Sequence, residues 1–272
     1  MERIEPMFVD VARAFDSIAP EFDTSFENDV TQRIRTIVYS TISSLAPPHS
    51  PLLDINCGTG IDATALSSLG YTVTGIDISS SMLEQARTRT PRTSRPAPEF
   101  HQCNFQDLSI LSGRTFEVVL SNFGGLNCSD SVEQICREVA GVTVSGGHFV
   151  AVVMPRACIW ELAAGFAKFN VGEGVRRFRK EVYATGFGSH SFRVYYHPLR
   201  KFVKAASKWF DPVSARGLCV VSPPPHASGF RSSFSKLSGV LRRVDNILGR
   251  LPVLRGMGDH YLVVLRRNTN RL

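Results

Sequence analysis

No apolar run reaches the roughly 18 residues that a membrane-spanning helix requires, so none is expected. No C-x-x-C pair occurs among the six cysteines, at 57, 103, 128, 136, 158 and 219. Scattered in this way, they fit small buried or site-lining thiols of a reducing compartment, and neither a disulfide framework nor a metal site is expected. The opening MERIEPMFVDVARAF carries acids and bases before any apolar run develops, so no secretory signal is expected and a cytoplasmic location is inferred. Internal repeats and a separate nucleic-acid-binding module are lacking too, so no stable nucleic-acid partner is expected. What is there is a chain of 272 residues with an ordinary apolar content of 43%, enough for one large α/β domain with a substantial core.

Acid is scarce in the second half. Residues 1–150 carry 10 Lys and Arg against 18 Asp and Glu, a net −8, whereas residues 151–272 carry 21 against 6, a net +15. The basic half reads either as a solvated surface or as a face toward an anionic substrate, a membrane surface or nucleic acid.

The most informative stretch is Leu52 to Asp77, LLDINCGTGIDATALSSLGYTVTGID. A strand runs to Asp54 and Ile55, and Gly58 and Gly60 make a tight turn. Ile61 to Leu69 form a short helix stopped at Gly70. Tyr71 to Ile76 alternate like a buried strand, and Asp77 closes it. This is the nucleotide-binding half of a doubly wound sheet. Glycine lets the backbone approach a ligand and adopt positive φ, the helix N-terminus offers unpaired N–H groups, and an acid at the second strand tip accepts hydrogen bonds from a ribose diol.

Two nucleotides compete for this turn. From Gly58 the chain spells G-T-G-I-D-A, which formally fits the dinucleotide fingerprint. From Asp54 it spells D-I-N-C-G-T-G, with an acid that would repel a pyrophosphate but suits an ammonium. The second frame resembles motif I of the class I (Rossmann-like) S-adenosylmethionine-dependent methyltransferases, with Asn56 in place of the first glycine. Asn tolerates left-handed backbone better than most residues. Further segments resemble that family in order. Asp77-Ile78-Ser79-Ser80-Ser81-Met82 is similar to the ribose-binding motif, where Ser81 and Glu84 also spell a capping box. Phe100 to Leu108 resembles the adenine cup, with Asn104 for the usual Asp. Phe116 to Phe123 resembles the fourth motif, and Gly146 to Val153 the fifth strand. The segment Phe15 to Asp23 is similar to the lead-in of the ubiquinone and menaquinone type, which folds over the cofactor.

The resemblance implies S-adenosyl-L-methionine as cofactor, held by Phe22, Asp54, Asn56, Gly58, Gly60, Asp77, Ile78, Met82, Asn104, Phe105, Ser121 and Asn122. It implies an α/β fold with a doubly wound, seven-stranded, mostly parallel sheet, an antiparallel last strand and a helical lid inserted after strand 5. The divisions are an N-terminal helical cap (1–46), the cofactor-binding core (47–155), the lid (156–209) and completion of the sheet (210–272), within one overall domain.

Elsewhere the pattern is plainer. Residues 28–45 form a helix capped by Asn28, with Val30, Ile34, Ile37, Val38, Ile42 and Leu45 on one face. Thr88 to Pro98 is a polar, proline-rich loop. Pro198 to Lys208 reads as a basic helix, Ala215 to Val221 as the sixth strand, Leu237 to Leu248 as a helix and His260 to Leu265 as the last strand. Aromatics beside bases in residues 156–209 suit a planar or lipid-like acceptor with a negative group, or a helical subdomain with its own core. Phe15, Phe123, Trp160 and Tyr196 are the expected acceptor walls, and His197 with Tyr196 the expected catalytic pair. The segment Ser121-Asn122-Phe123-Gly124 is no N-P-P-Y or D-P-P-Y, which argues against adenine-N6 and glutamine-amide methylation. Three functions stay open: methyl transfer to O, N or C of a small molecule, RNA methylation, and a cyclase or pericyclase on the same fold. A peripheral membrane contact stays open as well.

Overall fold

The computed structural model describes residues 6–90, 96–167, 169–179, 182–227, 230 and 235–269. Their strands are β1 (Pro51–Ile55), β2 (Thr72–Asp77), β3 (Glu99–Gln102), β4 (Phe116–Ser121), β5 (Thr143–Val153), β6 (Val182–Phe187), β7 (His190–Val194), β8 (Phe210–Leu218) and β9 (His260–Arg267). The helices are α1 (Pro6–Ile18), α2 (Phe22–Phe26), α3 (Asp29–Leu45), α4 (Ile61–Ser68), α5 (Ser80–Arg89), α6 (Val132–Val142), α7 (Ile159–Ala167), α8 (Val171–Gly174), α9 (Leu199–Ala206) and α10 (Ser235–Leu248).

Seven strands form one sheet in the order β3-β2-β1-β4-β5-β9-β8. β1 to β5 are parallel, and β9 runs antiparallel to both neighbours. The order reverses between β1 and β4, and ligands of open α/β sheets bind beyond the carboxyl ends of strands at such a switch.

Period-two alternation divides the strands between two cores. Leu53, Val119, Phe149, Val153 and Val263 face α6 and α9, with Phe8 of α1 sealing one end. Leu52, Val73, Val118, Val150 and Val264 face α3 and α4, where Ile34, Val38, Ile42 and Leu66 are fully buried. α3 begins as expected: Asn28 Oδ1 accepts from the amides of Val30 (3.0 Å) and Thr31 (3.3 Å), and Thr31 Oγ1 accepts from the Asn28 amide at 2.8 Å.

Three local expectations are corrected. The sixth sheet strand spans Phe210–Leu218, not 215–221, because β9 extends to Arg267 and its register carries the pairing back to Phe210. The insertion after β5 is helical only at first; β6 and β7 then pair as an antiparallel hairpin, turned through Gly186 and Gly188 at φ +90° and +58°. The cap of α5 is Ser79, which accepts from the Met82 amide at 3.1 Å, while the Ser81 amide donates to Asp16 at 3.0 Å. α9 buries Phe202 and exposes Lys201 and Lys204, the solvated basic face of an ordinary packing helix. Of the arginines in the 88–98 loop, Arg92 and Arg95 lie outside the described residues, and Arg89 is paired with Asp23. No described helix is long and apolar enough to cross a membrane.

Candidate active site

The glycine turn leaves β1 through three left-handed residues: Asn56 at φ +57°, Gly58 at +54° and Gly60 at +74°. Asn56 adopts the conformation of the glycine it replaces, and its side chain is anchored. Its Oδ1 accepts from Ser121 Oγ at 2.8 Å, and its Nδ2 donates to the Asn122 carbonyl at 3.4 Å. The added side chain has a counterpart, because a Cβ on Gly125 would lie 2.2 Å from the Asn56 amide group. Gly60 serves helix packing, since a Cβ there would stand 2.7 Å from that of Ala86 in α5.

The turn is tied to the tip of β2. Asp77 Oδ2 accepts from the Gly58 amide at 2.8 Å and Oδ1 from the Ser79 amide at 2.9 Å. Burial raises the Asp77 carboxyl pKa against these bonds. Around it opens a cavity lined by Asn56, Gly58, Asp77, Ile78 and Met82 and further round by Asn104, Phe105 and Asn122. Cys57, Cys103 and Cys128 line it as well. Burial pushes the Cys103 and Cys128 thiols up to about 12, so they are unreactive wall atoms at neutral pH.

α1 and α2 close over this cavity. Asp16 Oδ1 accepts from Ser79 Oγ at 2.6 Å as well as from the Ser81 amide, and Asp23 Oδ1 accepts from Thr59 Oγ1 at 2.7 Å. These bonds set Phe15 and Phe22 into the wall. A second, larger cavity shares Phe15, Phe22, Arg35, Phe123, Gly125 and Cys128 with the first. Phe26, Phe187 and Phe192 complete an aromatic side, with Phe15 5.4 Å from the ring centres of both Phe187 and Phe192. The hairpin therefore supplies aromatic wall.

Between the cavities stands a polar partition. Arg35 pairs with Asp62 and with Glu27 (2.8 Å), Tyr39 donates to Asp62 at 2.6 Å, and Asn122 Nδ2 donates to Asp62 at 3.0 Å. The Arg35 guanidinium lies 4.6 Å above the Phe123 ring, whose backbone takes φ +49°. Such a conformation is uncommon in a bulky residue and is held here by the surrounding contacts.

The far wall carries Arg176, Arg177, His226, Asp259 and His260. His260 Nδ1 lies 3.0 Å from Asp259 Oδ2, and His260 Nε2 bonds to none of the described residues. Arg177, 3% exposed, bonds to Asp259 at 2.7 Å and to Glu161 at 2.6 Å. Burial works to raise the Asp259 carboxyl, but His260 and Arg177 outweigh it and hold it well below the usual carboxylate range. Cys158, Glu161 and Asp259 bring ligand atoms within 4.8 Å of one another, as a metal site would. The Arg177 guanidinium already supplies the cation between the two carboxylates.

The expected catalytic pair does not stand here. His197 is buried, with Nε2 2.9 Å from the Ser129 carbonyl and 3.4 Å from that of Leu126, and it lines neither cavity. Burial lowers its pKa, and its ring ties β7's exit to the loop after β4. Tyr196 also lies outside both linings; its ring faces the Arg177 guanidinium at 5.2 Å. Trp160 packs edge-on against Phe230 at 4.9 Å and lines neither cavity. Asp54, Gly60 and Ser121 sit behind the first wall and not in it. The reading from sequence missed Arg35, Asp62 and the His260–Asp259 pair, although an acid directly preceding a histidine at a strand start is a visible signal.

Residues 53–151 match the family model of a methyltransferase domain. A demethylmenaquinone methyltransferase from Beutenbergia cavernae is 31% identical over 52% of this chain and 56% of the relative. A ubiquinone biosynthesis O-methyltransferase from Paracidovorax citrulli is 26% identical over 65% of this chain and 70% of the relative. The chain thus spans little more than half the length of the first of these. Among solved structures, the magnesium protoporphyrin IX methyltransferase of Synechocystis, with bound SAH, superposes with a TM-score of 0.61 at 13% identity, covering 96% of this chain and 99% of the other. Sheet order, glycine turn and strand-tip carboxylate agree with that match: residues 53–151 resemble a methyltransferase domain, and the sheet around them has the Rossmann-like fold of S-adenosylmethionine-dependent methyltransferases.

Proposed function

We propose that this chain transfers a methyl group from S-adenosyl-L-methionine to O, N or C of a small acceptor with an apolar, planar or lipid-like body. The observation that carries the reading is the meeting of two cavities at Phe15, Phe22, Arg35 and Phe123. The first has the donor set for the cofactor. Asp77 lines it at the strand tip with lone pairs left for a ribose diol, and Ile78, Met82 and Phe105 make an apolar cup. The bound cofactor supplies a methyl already activated on a sulfonium, so the protein's share is proximity and alignment.

In the second cavity the phenylalanines hold the body of the acceptor. His260, oriented by Asp259 through Nδ1, presents Nε2 as the group that accepts a proton from a phenol, enol or ammonium acceptor. This role replaces the one expected for His197 and Tyr196.

The first test is calorimetric titration with S-adenosylmethionine and S-adenosylhomocysteine. Micromolar binding, weakened at least roughly tenfold in Asp77→Ala, is the expected outcome. Binding of NAD(P) instead overturns the reading. Phenols, enolisable ketones and amines are then screened by mass. A product that gains no methylene mass assigns the chain to cyclase chemistry. With an accepted substrate, His260→Asn should lower kcat by roughly a hundredfold or more while leaving S-adenosylhomocysteine affinity unchanged.

A further inference from the structure

α10 is built inside out. Its buried positions are polar: Ser238 is 3% and Asp245 4% exposed. Four of its apolar residues face outward, with Leu237 46%, Val240 54%, Val244 36% and Ile247 67% exposed, while Leu241 and Leu248 are half-buried. At helical spacing these form a single stripe, and Leu251 and Val253 continue the exposed apolar surface beyond the helix end.

The helix is not free to roll its apolar face inward. Asp245 accepts hydrogen bonds from the Val221 amide at 2.8 Å and from Ser222, and the Gly217 amide donates to the Gly249 carbonyl at 2.7 Å. A Cβ on Gly249 would fall 2.4 Å from the Gly217 carbonyl oxygen, so the helix end sits directly on β8.

Charge identifies what covers the stripe. Lys236 and Arg243 are exposed and by helical phase flank the apolar stripe along one side, and Arg250 is exposed in the turn just past the helix end. Arg242 pairs with Asp29 at 3.1 Å. The one acid between residues 235 and 250 is Asp245, which is turned inward. A second copy of the same surface would set these bases against one another, whereas an anionic bilayer accepts both features: apolar side chains in the acyl boundary, cations among headgroups. We infer that α10 docks this protein in-plane on a membrane surface carrying anionic lipid. The loop that Asp245 anchors runs on to Pro225 and His226, which line the second cavity.

The test is flotation of the full chain with vesicles of phosphatidylcholine containing one-third phosphatidylglycerol, against vesicles of phosphatidylcholine alone, at low and high salt. Expected are binding to the anionic vesicles, its loss at high salt, loss in Val240→Asp/Ile247→Asp, and a weakening of roughly tenfold or more in Arg243→Glu/Arg250→Glu. All four positions are solvent-facing, and an unchanged S-adenosylhomocysteine affinity or thermal midpoint certifies folding of the variants. No binding by the wild type at low salt, or equal binding by the aspartate variant, overturns the proposal. A wild-type dimer in sedimentation that becomes monomeric in Ile247→Asp, without vesicle binding, assigns the stripe to self-association and overturns it too.

Discussion

Asn56 and Gly125 behave as a matched pair. The residue that departs from the family's glycine takes the left-handed conformation, and the space its side chain needs exists because position 125 has no Cβ. Gly125→Ala should cost about 1–3 kcal/mol through overpacking and shift the Asn122–Phe123 wall, raising the dissociation constant for S-adenosylhomocysteine roughly tenfold. In Asn56→Gly/Gly125→Ala the clash is gone and affinity should return toward wild type, read by calorimetry as a double-mutant cycle. Additive losses would mean that the two positions do not communicate. That Asn56 tolerates positive φ was legible from its chemistry; its partner, sixty-odd residues away, was not, because only the fold brings them together.

At the scale of elements, the N-terminal helices are held over the cofactor cavity by few polar bonds. Asp16 binds the start of α5, where a carboxylate also suits the positive end of a helix, and Asp23 binds the start of α4. Asp16→Ala should cost on the order of 1 kcal/mol and increase hydrogen exchange in residues 6–26 while the sheet amides stay protected. Uniform exchange across the chain would count against a local clasp. The lead-in motif made this element visible in the sequence. The hairpin of β6 and β7 was not, because aromatic residues beside bases read equally well as a helical subdomain until strand pairing and contact with Phe15 decide between them.

For the whole molecule, Arg177 joins the insertion to the sheet. It bonds to Glu161 of α7, to the Pro155 carbonyl after β5 and to Asp259 ahead of β9. Burial acts to raise Glu161 as it does Asp259, but Arg176 and Arg177 hold Glu161 below the usual range. A carboxyl depressed in the folded state stabilises above its unfolded pKa of about 4 and loses that contribution as pH falls toward the folded value. Arg177→Met, which leaves both carboxylates buried without this guanidinium, should lose about 3 kcal/mol or more at neutral pH. Its deficit against wild type should shrink as pH drops below about 4, measured by urea unfolding across that range. A deficit independent of pH would assign Arg177 a packing role alone. The same cluster positions His260, so molecular stability and the second cavity share one set of charges.

By itself the sequence determined the order of the parallel strands, the glycine turn, the carboxylate at the tip of β2 and the Asn28 cap, because each depends on contacts within one or two neighbouring elements. Local spacing and backbone chemistry are sufficient for those. Only the tertiary structure decided which histidine lines the second cavity, which glycine accommodates Asn56 and which way α10 turns its apolar face. A side chain's direction relative to distant elements is set by packing across the sheet, and no local pattern encodes it: His197 and His260 are both histidines beside a strand, yet one is locked on the Ser129 carbonyl and the other lines the cavity.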